Sequence, residues 1–321
     1  MKIVDFTIEH IEQAEQIVRQ NYEAERRFVH TLPSVKEFPD LRPFAENSLG
    51  VAAFEGGDMI GFLCSISPFS HAFRSTDAIG VFSPMHANGT IPENRAQVYA
   101  RMYQTAGEKW VKAGASSHAV CLYAHDKAGQ EQFFRYGFGL RCIDAIRGMD
   151  EIETQPCHGF DFVELAPEEY ISVLPLVHML DAHMAASPTF ILRQSDTEAS
   201  FVGRTNRNHS RYFAAKVPGK IIAFLRTERD GETFICETLD YIHITGAYCL
   251  PENRGMDVHQ NLLNFMIRTL KSEGYTRLGV DFESINPAAS GFWLKYFTAY
   301  THSVVRRVDE HVITATAMME K

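Results

Sequence analysis

The stretch AYCLPENRGMDVHQNLL, residues 247–263, indicates the fold of this 321-residue chain. An apolar, strand-like run leads through Pro251 to Arg254 and Gly255, and a periodic pattern typical of a helix follows. The free N–H groups in the first turn of a helix bind anions together with the helix dipole. A glycine at such a junction lets the backbone approach a phosphate closely. The stretch therefore predicts a strand, an anion-binding turn and a helix.

The two halves of the chain repeat one order of elements. The tetrapeptide Pro-Glu-Asn-Arg occurs at 92–95 and again at 251–254. Each copy runs into a long helix, a glycine, a buried strand and a short aromatic helix. The repeat predicts two domains, 1–153 and 154–321, with the polar segment 150–156 as the linker. We expect an α/β fold with α+β character, in which each domain is a mixed, largely antiparallel sheet flanked by helices.

The periodicity of apolar residues predicts the individual elements. The predicted helices are 9–27, 92–113, 129–135, 168–184, 254–271 and 287–296. The predicted strands are 2–7, 50–54, 59–66, 78–82, 117–124, 138–146, 160–165, 211–217, 220–228, 241–249, 278–282 and 301–314.

Composition argues against several classes of protein. The net charge of −9 disfavours nucleic-acid binding, which needs clustered lysine and arginine. Six scattered cysteines without a C-x-x-C pair predict reduced core residues and no metal site. No apolar run is long enough to span a membrane, and Asp5 stands where a signal peptide needs an apolar run. We therefore expect a cytoplasmic location and no membrane partner.

Residues 254–263 resemble the motif of the GNAT acetyltransferases, in which a strand leads into Arg/Gln-x-x-Gly-x-Gly/Ala and a helix with a Leu-Leu pair. Arg254 and the pair at 262–263 match in register, and Gly255 fits the common Arg-Gly form. The two signature glycines are replaced by Asp257 and His259. The first copy keeps the arginine but lacks the loop glycines, which indicates a degenerate first domain. Over its whole length, the chain resembles a bacterial group of tandem GNAT proteins.

A second GNAT landmark follows the next strand, where the family has Asn-x-x-Ala-x-x-x-Tyr. Asn286 and Ala289 match this pattern. The tyrosine, which the family commonly uses to protonate the leaving thiolate, is replaced by Trp293. Tyr296 is the nearest tyrosine and is the alternative acid.

The resemblance implies that acetyl-CoA is the donor and that it lies in a gap between the fourth and fifth strands of the second domain. Backbone groups of the fourth strand would bind the pantetheine arm, and the turn would bind the pyrophosphate. Tyr248 is also a candidate for the acceptor pocket. The implied donor-binding residues are Ala247, Tyr248, Cys249, Arg254, Gly255, Met256, Asp257, Val258, His259 and Asn286.

His243 is the candidate general base. It lies eleven residues before Arg254, where histone-type members of the family place a glutamate. Histidine titrates near neutrality and can accept a proton, although an ordinary buried strand histidine is the alternative. Asp281 and Glu283 alternate on one face at the end of the fifth strand. They could hold a cationic acceptor or relay a proton, and the alternative is a solvated or Arg-paired strand end.

These patterns predict an acetyl-CoA-dependent N-acetyltransferase. The acceptor would be a primary amine, either a small molecule or an amino terminus, that attacks the thioester directly in a ternary complex. The alternative is a non-catalytic acyl-CoA-binding or regulatory protein, because motif glycines and tyrosines are lost. An aminoacyl-tRNA donor is a third alternative, which the acidic charge disfavours. The acceptor and the oligomeric state, including a homodimer, stay open.

Overall fold

A computed structural model of the chain describes residues 1–74 and 77–319. It divides into two compact units. The first consists of Met1–Ile143 and Ala299–Lys321, and the second is Asp144–Thr298. Each unit contains mixed β-structure flanked by helices, so the predicted fold class is confirmed.

The elements follow the predicted order closely. The strands are β1 Lys2–Asp5, β2 Val51–Glu55, β3 Asp58–Leu63, β4 Gly80–Ser83, β5 Asn88–Thr90, β6 Ser117–Tyr123, β7 Gly139–Gly148, β8 Asp161–Glu164, β9 Arg211–Val217, β10 Lys220–Glu228, β11 Tyr241–Cys249, β12 Arg277–Glu283, β13 Thr298–Ala299 and β14 Thr301–Arg307. The helices are α1 Ile11–Arg26, α2 Arg42–Glu46, α3 Arg95–Lys112, α4 Lys127–Arg135, α5 Leu174–Ala185, α6 Glu198–Arg207, α7 Val258–Ser272, α8 Pro287–Tyr296 and α9 Glu310–Met319.

The first unit contains two groups of strands around a core that includes helix α3. One group has the order β1-β2-β3-β5 and is antiparallel. In the other, β4 pairs with β6 in parallel, and β14 lies antiparallel between β6 and β7. Trp110 of α3 and Val304 of β14 are both fully buried in one apolar cluster. Burial of that cluster stabilises the unit because it removes a large apolar surface from water.

The last strand of the chain belongs to the first unit, which differs from the predicted division at 153/154. Strand β14 pairs along its whole length with β6 and also with the start of β7. The predicted strand 301–314 is also too long, because β14 ends at Arg307 and α9 begins at Glu310. Acidic residues are favourable in the first turn of a helix, and Asp309 and Glu310 stand at that point.

The second unit contains the strands in the order β12-β11-β10-β9-β8. Neighbouring strands are antiparallel except for β11 and β12, which are parallel. Tyr212 contacts Phe201 of α6, whereas its neighbour Phe213 contacts Phe265 of α7. Because successive side chains point to opposite faces of a strand, α6 and α7 cover opposite faces of this sheet. The sequence did not predict α6.

The predicted linker 150–156 is held against α7. The Asn264 side chain accepts a hydrogen bond from the Ile152 N–H at 2.7 Å and donates one to the Ile152 carbonyl at 2.7 Å. Asn261 Nδ2 donates to the Gln155 carbonyl at 2.9 Å. An asparagine amide can pair with a backbone amide as another strand would, so the polar segment is ordered. Within residues 1–74 and 77–319, no helix is long and apolar enough to span a membrane.

Candidate active site

Strands β11 and β12 of the second unit separate partway along their length. Their parallel ladder runs from Tyr241 opposite Arg277 to Ile244 opposite Val280. Beyond that point β11 continues to Cys249 and β12 to Glu283 without further pairing between them. The register of β11 against β10 shifts at the same place, which leaves Thr245 as the extra residue of a β-bulge. A bulge bends its strand and increases its twist, so it accounts for the gap.

The gap exposes backbone groups at the predicted positions. The Leu250 N–H bonds to the Ile222 carbonyl on β10 at 2.9 Å. Because backbone groups alternate in direction along an antiparallel strand, those of Ala247 and Cys249 point away from β10, into the gap. The Cys249 carbonyl accepts a hydrogen bond from Arg254 Nε at 3.0 Å. The backbone of Ala247 and the Cys249 N–H can therefore pair with the amides of an extended ligand.

The anion-binding turn lies between this strand and α7. Gly255 has a φ of 76° and Asp257 a φ of 56°, and α7 begins at Val258. The N–H groups of Val258, His259 and Gln260 stand in the first turn, where a helix supplies no carbonyl partner. The predicted strand, turn and helix are therefore confirmed as local structure, although the helix starts later than predicted.

Asp257 keeps the backbone shape of the glycine that it replaces. Its φ of 56° lies in the left-handed region, which aspartate tolerates better than most residues. Its Oδ1 accepts a hydrogen bond from Gln260 Nε2 at 2.9 Å. The turn therefore does not depend on glycine here, but a carboxylate lies beside the predicted phosphate position.

His259, at the second glycine position, packs against α8. Its ring lies 5.0 Å from the ring of Phe292 and 6.2 Å from that of Trp293. Burial lowers the pKa of His259 to about 4, so the imidazole is neutral at neutral pH. His259 is therefore an apolar packing group and adds no positive charge to the turn.

Arg254 and Tyr248 contact each other at the end of β11. The Arg254 guanidinium carbon lies 5.3 Å from the centre of the Tyr248 ring, a cation–π distance. Arg254 is exposed, while Tyr248 is only 9% exposed. Met256 is also exposed, and its carbonyl accepts a hydrogen bond from Cys157 Sγ at 3.3 Å. Arg254 is therefore available to an anion at the turn.

His243 is fully buried, and both of its ring nitrogens have partners. Nε2 lies 2.8 Å from Asp281 Oδ1, and Nδ1 lies 2.7 Å from the hydroxyl of Tyr241. Gly279, opposite His243 on β12, makes room for this contact, because a Cβ there would lie 1.5 Å from the Tyr241 hydroxyl. His243 therefore has no nitrogen open to an acceptor amine, and its role as base stays a prediction.

The His243–Asp281 pair is a charged pair. Burial alone would lower the pKa of His243, but the interactions with Asp281 and, after it, Cys236 outweigh burial and hold the pKa well above its usual value. Burial likewise opposes ionisation of Asp281, yet the bond to His243 holds the pKa of that carboxyl below its usual value. The Asp281 side chain is 32% exposed, so it is the open end of the pair.

Further carboxylates lie near Asp281. Glu232 keeps an exposed surface, but desolvation by the surrounding protein and the negative charges of Asp281, Asp144 and Glu283 raise its pKa to about 8. Glu283 Oε1 lies 3.7 Å from the guanidinium of Arg193. Both predicted acids therefore have a cationic partner, Asp281 in His243 and Glu283 in Arg193, and Glu232 is mostly protonated at neutral pH.

The remaining predicted residues lie on α8. Asn286 accepts hydrogen bonds from the N–H groups of Ala288 and Ala289, so it caps the helix. Trp293 is 5% exposed and packs against His259 and Phe297. Tyr296 contacts the ring of Phe292 at 5.2 Å and the ammonium of Lys295 at 5.2 Å. The structure gives Asn286 a structural role, and the role of Tyr296 as an acid stays a prediction.

The corresponding corner of the first unit is closed by its own side chains. Arg95 donates to Asn21 Oδ1 at 2.6 Å and to the Thr90 carbonyl at 3.2 Å, and it forms an ion pair with Asp126 at 3.2 Å. Asn88 of β5 also donates to the Cys121 carbonyl of β6 at 3.1 Å. The arginine of the first repeat is therefore used inside the fold, unlike Arg254.

Sequence reasoning missed two members of the site, Tyr241 and the bulge at Thr245. Tyr241 precedes His243 by two residues, so alternation along a strand places both side chains on one face. That signal was present in the sequence. The bulge depends on how β10 pairs with β11 and has no local signal.

Comparison with known proteins finds a family match in the second unit. The sequence model of the acetyltransferase (GNAT) family matches residues 177–297, which lie wholly within this unit. The resemblance drawn from the motif is therefore confirmed for this segment. A search of curated proteins finds no match.

Solved structures show the same fold over nearly the whole chain. A GCN5-related N-acetyltransferase from Sphaerobacter thermophilus has a TM-score of 0.57 at 11% identity, over 95% of this chain and 95% of that one. A GCN5-related glucosamine N-acetyltransferase region of a fungal multi-domain GH3 β-N-acetylglucosaminidase has a TM-score of 0.51 at 12% identity, over 95% of this chain and 38% of that one. At these identities the likeness establishes the fold and no substrate.

Proposed function

We propose that the second unit binds acetyl-CoA and transfers its acetyl group to an amine. The observation that carries this proposal is the gap between β11 and β12, which opens beside an unfilled helix start. The first-turn N–H groups of α7 and the Arg254 guanidinium suit a pyrophosphate. The backbone groups of Ala247 and Cys249 suit the amides of the pantetheine arm.

The proposed reaction is a direct attack. The amine nitrogen forms a bond to the thioester carbonyl carbon, the carbon–sulfur bond breaks, and CoA leaves as the thiol. Holding donor and acceptor together supplies much of the rate because it removes the entropy cost of their encounter. The amine must lose a proton, and we propose Asp281, the exposed end of the pair, as the group that receives it. His243 is already protonated in this pair, so it orients Asp281 and does not itself take up the proton.

The acceptor side favours a cationic substrate. The carboxylates of Asp281 and Glu283 lie on this side of the gap, so an ammonium group would gain from their negative charge. Glu232, with a pKa of about 8, is mostly protonated at neutral pH and adds little charge. We therefore infer a small-molecule amine or the amino terminus of a peptide as acceptor, in a location that we infer to be cytoplasmic. No metal enters this proposal.

A non-catalytic acyl-CoA-binding role is the second candidate. Trp293 supports this role, because it is buried where the family commonly has the tyrosine that protonates the leaving thiolate. His243 supports it too, because both of its ring nitrogens are engaged. A protein of this kind would bind the donor through the same turn and strand but would not turn it over.

Turnover separates the two candidates. Thiol release from acetyl-CoA would be followed with a panel of primary amines, using the wild type and Asp281→Asn. Amine-dependent release that falls at least tenfold in Asp281→Asn supports the enzyme. Binding of acetyl-CoA with no release for any amine would instead support the binding protein.

A further inference from the structure

Arg226, on β10, contacts the bulged residue of β11 directly. Its Nε donates to Thr245 Oγ1 at 2.9 Å, and its Nη2 donates to the Thr245 carbonyl at 2.8 Å. Thr245 is the residue that the register shift leaves without a partner on β10. One guanidinium therefore holds both the side chain and the backbone of the bulge.

The surroundings fix Arg226 in this position. Its side chain is only 15% exposed, and its Nε lies 3.3 Å from Glu228 Oε1. Glu228 is itself held by the Ser210 hydroxyl and by Asn208. Gly246 lies directly beneath the guanidinium, since a Cβ at that position would be 3.4 Å from Arg226 Nε. We call the two hydrogen bonds from the Arg226 guanidinium to Thr245 the fork. A buried guanidinium with several partners holds a backbone more rigidly than an exposed one does.

The bulge stands where the two parallel strands separate. Pairing with β12 ends at Ile244, one residue before Thr245, and the donor-facing groups begin at Ala247. A change in the conformation of Thr245 would therefore turn the backbone of Ala247 and Cys249. Without the fork, the Thr245 carbonyl would lack this partner, and the strand would gain from closing toward a regular ladder.

We propose that Arg226 is a positioning residue that clamps the bulge of β11 and so sets the affinity of the gap for CoA. Arg226 does not need to touch the ligand, because it acts through Thr245. The part of this inference that concerns CoA rests on the proposed function, whereas the clamp itself does not.

Two conservative variants test the clamp. Arg226→Lys keeps the charge but cannot form the fork. Arg211→Lys is the matched control, because Arg211 also forms forked ion pairs in the second unit, with Glu164 and Glu273. It lies on β9 opposite Thr227, at the level of the bulge, but β10 separates its strand from β11. Thermal melting establishes that both variants are folded.

Amide hydrogen exchange measures the clamp without any ligand. We expect exchange at Gly246 and Tyr248, whose N–H groups face β10, to rise at least fivefold in Arg226→Lys and to stay within twofold in Arg211→Lys. Equal exchange at these amides in both variants would overturn the clamp.

Calorimetric titration with CoA measures the consequence. We expect Kd to rise at least fivefold in Arg226→Lys and less than twofold in Arg211→Lys. An equal loss in both variants would overturn the positioning role. If the wild type bound no CoA, the proposed function would be wrong, and so would the role of Arg226 in CoA affinity. Hydrogen exchange at Gly246 and Tyr248 would still show whether Arg226 clamps the bulge.

Discussion

At the scale of single residues, the site is decided by what surrounds each side chain. Histidine at position 243 has the chemistry of a base, but burial with both nitrogens engaged turns it into a support for Asp281. His259 is neutral because it lies against the rings of α8. The sequence could predict the residue types of the site, since these follow from the motif. It could not predict which of them reach a ligand, because that depends on contacts between distant segments.

Asp257 weakens donor binding if CoA phosphates occupy the turn. We expect Asp257→Asn to tighten CoA binding roughly threefold, or about 0.7 kcal/mol, the scale of one exposed charge pair. Asparagine keeps the left-handed backbone, so the turn is preserved. Calorimetric titration at low and high salt checks this, and the gain should shrink in 1 M salt. The control is Glu198→Gln, in the first turn of α6. A gain of the same size in both variants would contradict the account.

The His243–Asp281 pair makes stability depend on pH. Because the folded pKa of His243 is raised, its contribution is complete below the unfolded pKa of about 6.5 and is lost as pH rises through the folded pKa. We expect the difference in unfolding free energy between wild type and Asp281→Asn to be largest near pH 6 and to shrink at higher pH. Urea unfolding from pH 6 to 10 measures it, and a difference independent of pH would show that the pair is not charged.

At the scale of elements, most helices and strands could be predicted because apolar periodicity is local. The bulge at Thr245 could not be, since it exists only in the pairing of β10 with β11. Helix α6 was missed although Thr197 caps it, because no long periodic run marks it. The gap that carries the proposed function is therefore a property of strand pairing, and the motif beside it is the part that the sequence shows.

Gly279 is required by the strand pair that frames the gap. A Cβ there would lie 1.5 Å from the Tyr241 hydroxyl, and Tyr241 is fully buried and has little room to move. We expect Gly279→Ala to lower the unfolding free energy by about 2 kcal/mol, the usual cost of overpacking. Chemical unfolding followed by fluorescence measures it. Gly291→Ala, which meets no atom within 4 Å, is the control. Equal stability of the two variants would contradict the described geometry.

At the scale of the whole molecule, the order of elements repeats, but the units do not follow the repeat boundaries. The sequence predicts the repeat from the recurring tetrapeptide and the helices after it. It cannot assign β14, because a strand joins whichever sheet offers the better edge. In the structure β14 pairs with β6 and β7, and Val304 is buried in the core of the first unit.

The assignment of β14 is testable in the full chain. Val304→Asp places a charge in the apolar cluster around Trp110, so we expect the first unit to lose several kcal/mol of stability. Hydrogen exchange should then rise in β6 and stay unchanged in β10. Loss of protection in β10 with β6 unaffected would place the strand in the second unit, as the sequence predicted.

The central claim is that the second unit binds acetyl-CoA through the turn before α7. Calorimetric titration of acetyl-CoA into the wild type, Arg254→Glu and Arg268→Glu tests it most directly. Arg268, on α7 itself, undergoes the same charge change and is exposed beside Glu151. The account predicts binding by the wild type, a loss of at least tenfold in Arg254→Glu, and a change below twofold in Arg268→Glu. No binding by the wild type, or equal losses in both variants, would contradict it.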